Sequence, residues 1–279
     1  MAQFFRKRSL LQSQKLLRRE RVWQWAKIIF VIILLIGLIW GLSALSFSPK
    51  LNLQTVLVTG NSAVSTDDVL NVVREATAGR NFWIFSSANT LWYPKQQIID
   101  TLKYSHSWID SVSVSRVNFS TLAVKITERV PVAVWCGVSL EQPQPCKLMD
   151  SRGYLFAPAP DFSGAAYIKL YGPLTSADWR GPQFFSQIGL IHILDLNKGL
   201  TEIGMLPISA TVIDPSAYNM YIGSSTYISA QISDAVPGII SNLSSLLSQK
   251  MFATSSMSNF SNLLYIDTRF GNKLFYKFK

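Results

Sequence analysis

Ile28-Ile29-Phe30-Val31-Ile32-Ile33-Leu34-Leu35-Ile36-Gly37-Leu38-Ile39-Trp40-Gly41-Leu42 is the stretch whose reading decides the architecture. No ionisable side chain occurs from Ile28 through Pro49, 22 residues bounded by Lys27 and Lys50. As a helix this run spans roughly 30 Å, the thickness of a bilayer's hydrocarbon core. Buried helices of soluble proteins seldom carry so long an unbroken apolar run, so the stretch predicts one transmembrane helix with its exit, residues 28–49.

Working outward, residues 1–27 carry Arg6, Lys7, Arg8, Lys15, Arg18, Arg19, Arg21 and Lys27 against Glu20 alone. Positive charge beside a span stays on the cytoplasmic side, which makes residues 1–27 a basic cytoplasmic tail and sends residues 50–279 outside. Trp23 and Trp25 suit the headgroup region at the inner face. The chain's net charge of +10 therefore sits mostly in the tail. It gives no reason to expect nucleic-acid binding by the body. A cleaved signal peptide is the competing reading, with Ser43-Ala44-Leu45-Ser46 as a weak cleavage site. Gly37 and Gly41 have the Gly-x-x-x-Gly spacing of a close helix contact, although glycine is common in spans.

Cys136 and Cys146 lie beyond the span, on either side of a nine-residue loop. In an oxidising compartment they suit a disulfide within one hairpin; two buried thiols are the plainer alternative. Their spacing is not that of a metal knuckle, and His106 and His192 stand far away in sequence. No metal or cofactor is expected.

The outer chain opens with a strand-like run from Leu53 to Thr59, ended by Gly60-Asn61. A helix follows from Ser65 or Thr66, with Asp67 and Asp68 in its first turn and Val69, Leu70, Val72, Val73 and Ala76 on its buried side. Phe82, Trp83, Ile84 and Phe85 form an aromatic run, read as core or as a docking patch. Pro94 starts a second helix with Ile98, Ile99 and Leu102 inward. Ile109 to Val117 and Thr121 to Glu128 alternate as two arms of a hairpin. The order over residues 50–128 is β-α-α-β-β, a small α+β module.

Residues 129–279 read as a second, strand-rich α/β domain. Strands are expected at Val132 to Trp135, Lys147 to Met149, Tyr154 to Phe156, Ile168 to Tyr171, Ala210 to Ile213, Tyr218 to Ile222 and Tyr227 to Ile232. Helices are expected at Pro182 to Leu194 and Ile239 to Met251. Leu263 to Phe270 and Lys273 to Phe278 face each other across Gly271-Asn272, the best hairpin signal in the chain. Lys273 to Phe278 is thus expected to end a sheet.

Several phrases carry a resemblance. They are Val58-Thr59-Gly60-Asn61 with Val64-Ser65, then Thr121-Leu122-Ala123-Val124-Lys125-Ile126-Thr127-Glu128-Arg129-Val130-Pro131-Val132-Ala133-Val134-Trp135. Asp150-Ser151-Arg152-Gly153-Tyr154-Leu155-Phe156 and Tyr265-Ile266-Asp267-Thr268-Arg269-Phe270-Gly271-Asn272 complete the set. In this order, behind one span, the chain resembles the FtsQ/DivIB bitopic division proteins of bacteria. The resemblance implies a POTRA domain plus a β domain. It also implies a role in the divisome as a scaffold at the septum of the plasma (inner) membrane. The implied partners are FtsB/DivIC-like and FtsL-like bitopic coiled-coil proteins, through which septal peptidoglycan synthesis is controlled. It further implies that the last strand accepts a partner strand, which places the contact at Leu274, Phe275, Tyr276, Lys277 and Phe278, supported by Asp267 and Arg269. Where the family often has Arg-x-x-Pro before the Thr-Leu pair, this chain has Arg116-Val117-Asn118-Phe119-Ser120-Thr121-Leu122, and its cysteine pair looks like an insertion.

Glu128, Arg129 and Pro131 are read as the junction between the two outer domains, with an ordinary strand exit as the alternative. Catalysis needs groups that converge on a reacting atom, and neither a Ser/His/Asp set nor a Gly-rich phosphate loop is recognisable. The expectation is therefore no enzyme and no small-molecule substrate. A membrane-anchored cell-wall hydrolase or another extracytoplasmic binding protein remains the alternative.

The charge bias makes a direct prediction about topology. Protease added to intact spheroplasts removes residues 50–279 and leaves a short membrane-bound N-terminal fragment. A protected body with a cleaved tail contradicts the assignment.

Overall fold

The structure is a computed structural model that describes every residue except 1, 49, 82–84, 162–165, 179–180, 224–225, 249–262 and 272. The aromatic run at Phe82, Trp83 and Ile84, the turn residues Ser224 and Asn272, and Met251 lie outside the described residues. The chain divides into two compact units, the first made of Met1–Thr59, Thr66–Asp100 and Ser113–Lys125, the second of Gly60–Ser65, Thr101–Val112 and Ile126–Lys279.

In the first unit, helix α1 (Ala2–Ser46) runs without a break through basic tail and apolar run. The tail, read from sequence only as a charged segment, continues the helix of the span. Residues Val22–Ser46 are 25 in number, long and apolar enough to cross a membrane, about 37 Å at 1.5 Å per residue. At the exit, Ser46 Oγ accepts the N–H of Ser86 at 3.0 Å, and the Ser46 carbonyl accepts from Asn89 Nδ2 at 3.2 Å. The helix end is thereby supplied with partners that its own ladder lacks.

Strand β1 (Thr55–Thr59) pairs in parallel with β5 (Thr121–Glu128), Thr55 opposite Thr121. The strand β4 (Ile109–Arg116) completes a sheet of order β1-β5-β4. Helix α2 (Thr66–Thr77) buries Val69, Val73 and Thr77, one face at helical spacing. Leu70, Val72 and Ala76 are only half-buried. A two-residue hairpin, β2 (Arg80–Asn81) and β3 (Phe85–Ser86), stands before α3 (Lys95–Ser105) and is an addition to the expected β-α-α-β-β order. On β5, Leu122, Val124 and Ile126 are buried in alternation.

The second unit is built on a nine-stranded mixed sheet. Its strands are β6 (Ala133–Trp135), β7 (Lys147–Met149), β8 (Leu155–Pro158), β9 (Lys169–Tyr171), β12 (Pro207–Asp214), β13 (Ala217–Ile222), β14 (Thr226–Gln231), β15 (Leu263–Phe270) and β16 (Lys273–Phe278). They lie in the order β16-β15-β14-β13-β12-β9-β6-β7-β8. A separate hairpin pairs β10 (Leu174–Asp178) with β11 (Gly181–Phe184). Helices α4 (Gln187–Glu202) and α5 (Val236–Leu247) contribute Leu190, Ile193, Leu196, Leu200, Ile239, Leu243 and Leu246 to one core with Tyr218, Met220, Ile228 and Ile266 of the sheet. Cys136 and Cys146 are joined by a disulfide that closes the loop from β6 to β7.

The helix expected from Pro182 begins five residues later. Ser186 is its N-cap, accepting the N–H of Gly189 at 3.1 Å, while Gly181–Phe184 is strand β11. Proline suits the first turn of a helix, but it also suits the edge of a small hairpin, and here pairing with β10 decides. Of the core positions expected for that helix (Phe184, Phe185, Ile188, Ile191 and Leu194), Phe184 is buried and Phe185 and Leu194 pack against the core. Ile188 and Ile191 are exposed, and Leu190 and Ile193 take their place inside.

Where β5 ends, Gly60 and Glu128 fix the loop that precedes α2. Gly60 has φ +81°, and a Cβ there would stand 2.2 Å from the Ile126 carbonyl oxygen, so only glycine fits. Glu128 then accepts three main-chain N–H groups, from Ser62, Ala63 and Val64, at 2.8–2.9 Å. Partial burial pushes its pKa up, but the three N–H donors outweigh that and lower it. A lowered carboxyl pKa adds stability above the ordinary glutamate value, and that stability is lost as pH falls through the folded value. Glu128→Gln is accordingly expected to lower the unfolding free energy by about 1–2 kcal/mol at pH 7. In urea melts of the full-length protein, the difference from wild type shrinks as pH drops below about 4. A difference that does not change with pH contradicts this account.

Candidate functional site

Strand β16 occupies one end of the nine-stranded sheet. It is held by β15 in antiparallel register, with Ile266 opposite Tyr276 and Asp267 opposite Phe275. The reversal at Gly271 has φ +65°, a left-handed backbone that favours glycine. Asn242 of α5 donates to the Gly271 carbonyl at 3.3 Å.

Alternation sorts the candidate residues. Leu274 packs against the core cluster, and Tyr276 lies opposite buried Ile266. The Tyr276 and Phe278 rings meet edge to face at 5.7 Å, as expected of neighbours on one face. Phe275 and Lys277 take the other face. Phe275 is 50% exposed and rests its ring on Phe270 at 5.0 Å.

Asp267 and Arg269 pair with each other. Arg269 donates from Nε to Asp267 Oδ1 at 2.8 Å and from Nη2 to Oδ2 at 2.6 Å, and its main-chain N–H adds a third bond at 3.1 Å. These bonds hold the Asp267 carboxyl below the ordinary aspartate range although burial pushes the other way. The pair stiffens β15 beside the end strand. On the same sheet face, Tyr221, Tyr227 and Tyr265 stand in register across β13, β14 and β15, with ring centres 5.6 and 5.9 Å apart. Lys277 continues that row on β16. This tyrosine ladder is absent from the sequence reading, because only strand register aligns the three residues.

Glu128, Arg129 and Pro131, expected from sequence at a domain junction, differ in what they contact. Glu128 holds the Ser62–Val64 loop, whereas Arg129 is buried in an ion pair with Asp150 at 2.7 Å, with side-chain exposures of 2% and 5%. Its Nε donates to the Ile109 carbonyl at 3.4 Å. Asp150 also accepts the N–H groups of Arg152 at 2.9 Å and Tyr154 at 3.0 Å, and Arg152 bridges onward to Asp110. Arg129 thus leaves the solvated strand-exit reading behind. Pro131 is half-buried, and no polar contact distinguishes its side chain. The sequence Asp150-Ser151-Arg152-Gly153 has the composition of a turn, in which an aspartate bonds its own backbone two residues on. The partnership of Asp150 and Arg152 with Arg129 and Asp110 had no local signal.

His192 is committed inside the fold. The Asp234 carbonyl, 2.7 Å from Nε2, can only accept, so Nε2 carries the proton and Nδ1 receives the Tyr218 hydroxyl at 2.8 Å. Burial, with Asp234 adding to it, raises the Tyr218 pKa and keeps that hydroxyl protonated. The arrangement is a packing bridge between α4 and β13.

A family profile described as the POTRA domain, FtsQ-type, matches residues 51–129. No curated protein matches the chain. The FtsQ-type match, with one membrane-length apolar helix before it and a strand-rich unit after it, marks the chain as an FtsQ/DivIB-like, division-related membrane protein.

Proposed function

We propose that this protein is a non-catalytic, membrane-anchored scaffold of the bacterial divisome. Its tail lies in the cytoplasm and its body outside the plasma membrane, at the division septum. The body is divided in this reading into a POTRA domain at residues 50–128 and a β domain at 129–279. The β domain takes up FtsB/DivIC-like and FtsL-like bitopic proteins at strand β16 and so helps control septal peptidoglycan synthesis. It uses no cofactor and no small-molecule substrate.

The observation that carries the reading is the place of β16 at the end of the sheet, in a chain with an FtsQ-type POTRA match. An end strand offers main-chain groups to an incoming strand, and side chains at alternate positions supply selectivity. The opposite end of the sheet is unsuited to this. Strand β8 ends in Pro158, which has no N–H to offer, and Tyr154 just before it is bridged to Gln183 of β11. β16 contains no proline.

Adjacent residues of a strand point their N–H groups to opposite sides, so one of Leu274 and Phe275 points its N–H away from β15. Proline at that position is expected to abolish co-purification of FtsB-like and FtsL-like chains, whereas alanine retains it. Circular dichroism and melting of each full-length variant verify the fold. Undiminished capture by the folded proline variant moves the site elsewhere.

A further inference from the structure

We infer that the β16 edge is charge-selective: it accepts a strand that carries two carboxylates four residues apart on one face, and it excludes a second copy of itself. The inference rests on the edge-pairing reading above and adds the chemistry of the partner.

Lys273, Phe275 and Lys277 alternate along β16 and so share the face that points away from the core. Lys273 lies opposite Phe270 and Lys277 opposite Tyr265, neither of which bears a carboxylate. The carboxylate that β15 does place opposite this strand, Asp267, is taken in bidentate fashion by Arg269. Among the described residues neither Lys273 nor Lys277 has an ion-pair partner, and both are exposed. The outer face of the end strand is therefore positive, apolar and positive in succession, with Phe275 half exposed between the two ammonium groups.

Opposed side chains on paired strands stand about 5 Å apart, where opposite charges attract and like charges oppose pairing. An antiparallel dimer of β16 centred on Phe275 puts Lys273 of each copy against Lys277 of the other, so both ends of the pairing repel. An incoming strand with carboxylates at those two positions and an apolar residue between them satisfies the same row. The four-residue spacing is met by a parallel strand as well as an antiparallel one. Lysine on an edge strand is a general defence against self-association. Here the two lysines flank an exposed aromatic ring, which turns the defence into a choice between partners.

The test uses full-length protein in detergent and three labelled synthetic peptides of one alternating apolar pattern. They differ only in having glutamate, glutamine or lysine at the two outer-face positions. Fluorescence anisotropy should rank glutamate above glutamine above lysine, at least tenfold from first to last, and Lys273→Glu/Lys277→Glu should invert the order. Equal binding of all three overturns charge selection while leaving edge pairing intact; binding of none overturns both. A second arm examines self-exclusion. Lys273→Glu alone makes the strand self-complementary in antiparallel pairing, so sedimentation should show more dimer than in wild type or the double variant. A single variant that sediments like wild type overturns that half of the inference. Any contribution of the membrane helix to dimers is common to all three proteins.

Discussion

Every open β-sheet has two end strands, each with main-chain N–H and C=O groups that its own sheet leaves unpaired on one side, and the fate of those groups constrains this protein. At the β8 end, Pro158 and the β11 bridge at Gln183 limit what can be added. At the β16 end, the described residues include a sheet neighbour on one side only. A main-chain hydrogen bond contributes about 1 kcal/mol net, so a short strand contributes a few kcal/mol at most. That falls short of the cost of association, about 4–15 kcal/mol. In the proposed pairing, side chains on both faces and a shared membrane supply the difference, since anchoring the proposed partners in one bilayer raises their effective concentration without any new contact.

The remainder of the second unit keeps that end strand in place. Leu274 joins a core to which α4 and α5 contribute seven buried side chains, and Asp267 and Arg269 hold each other across two residues of β15. Earlier in the chain, Arg129 and Asp150 form an ion pair almost without solvent. Such pairs carry a large desolvation cost, and removal of one partner is far worse than loss of a surface pair. Asp150 offsets that cost by accepting main-chain N–H groups in addition to the guanidinium. The POTRA match ends at Arg129, so the family boundary coincides with a residue that the second unit buries.

Local signals were readable where the chemistry is local. Gly271 between two alternating runs marked the last hairpin, and the bounds of both strands agree with the sequence reading. The apolar run from Ile28 gave the membrane helix, although its continuation to Ala2 did not show in a tail so dense in charge. Pro182 misled because one residue type serves both a helix start and a hairpin edge; pairing with Leu174–Asp178, not propensity, settles it. The Arg129–Asp150–Arg152–Asp110 chain and the tyrosine ladder depend on register between distant segments. No periodicity within either segment reports such register.

Hydrogen exchange tests the central claim most directly, because it reads the main chain itself. Full-length protein in nanodiscs, alone and with co-reconstituted FtsB-like and FtsL-like chains, should be compared amide by amide. The account predicts that partner binding slows exchange at alternate amides of Lys273–Phe278, those that point away from β15, and leaves amides already paired to β15 unchanged. New protection confined to the POTRA-matched residues 51–129, with β16 exchanging as before, would contradict it.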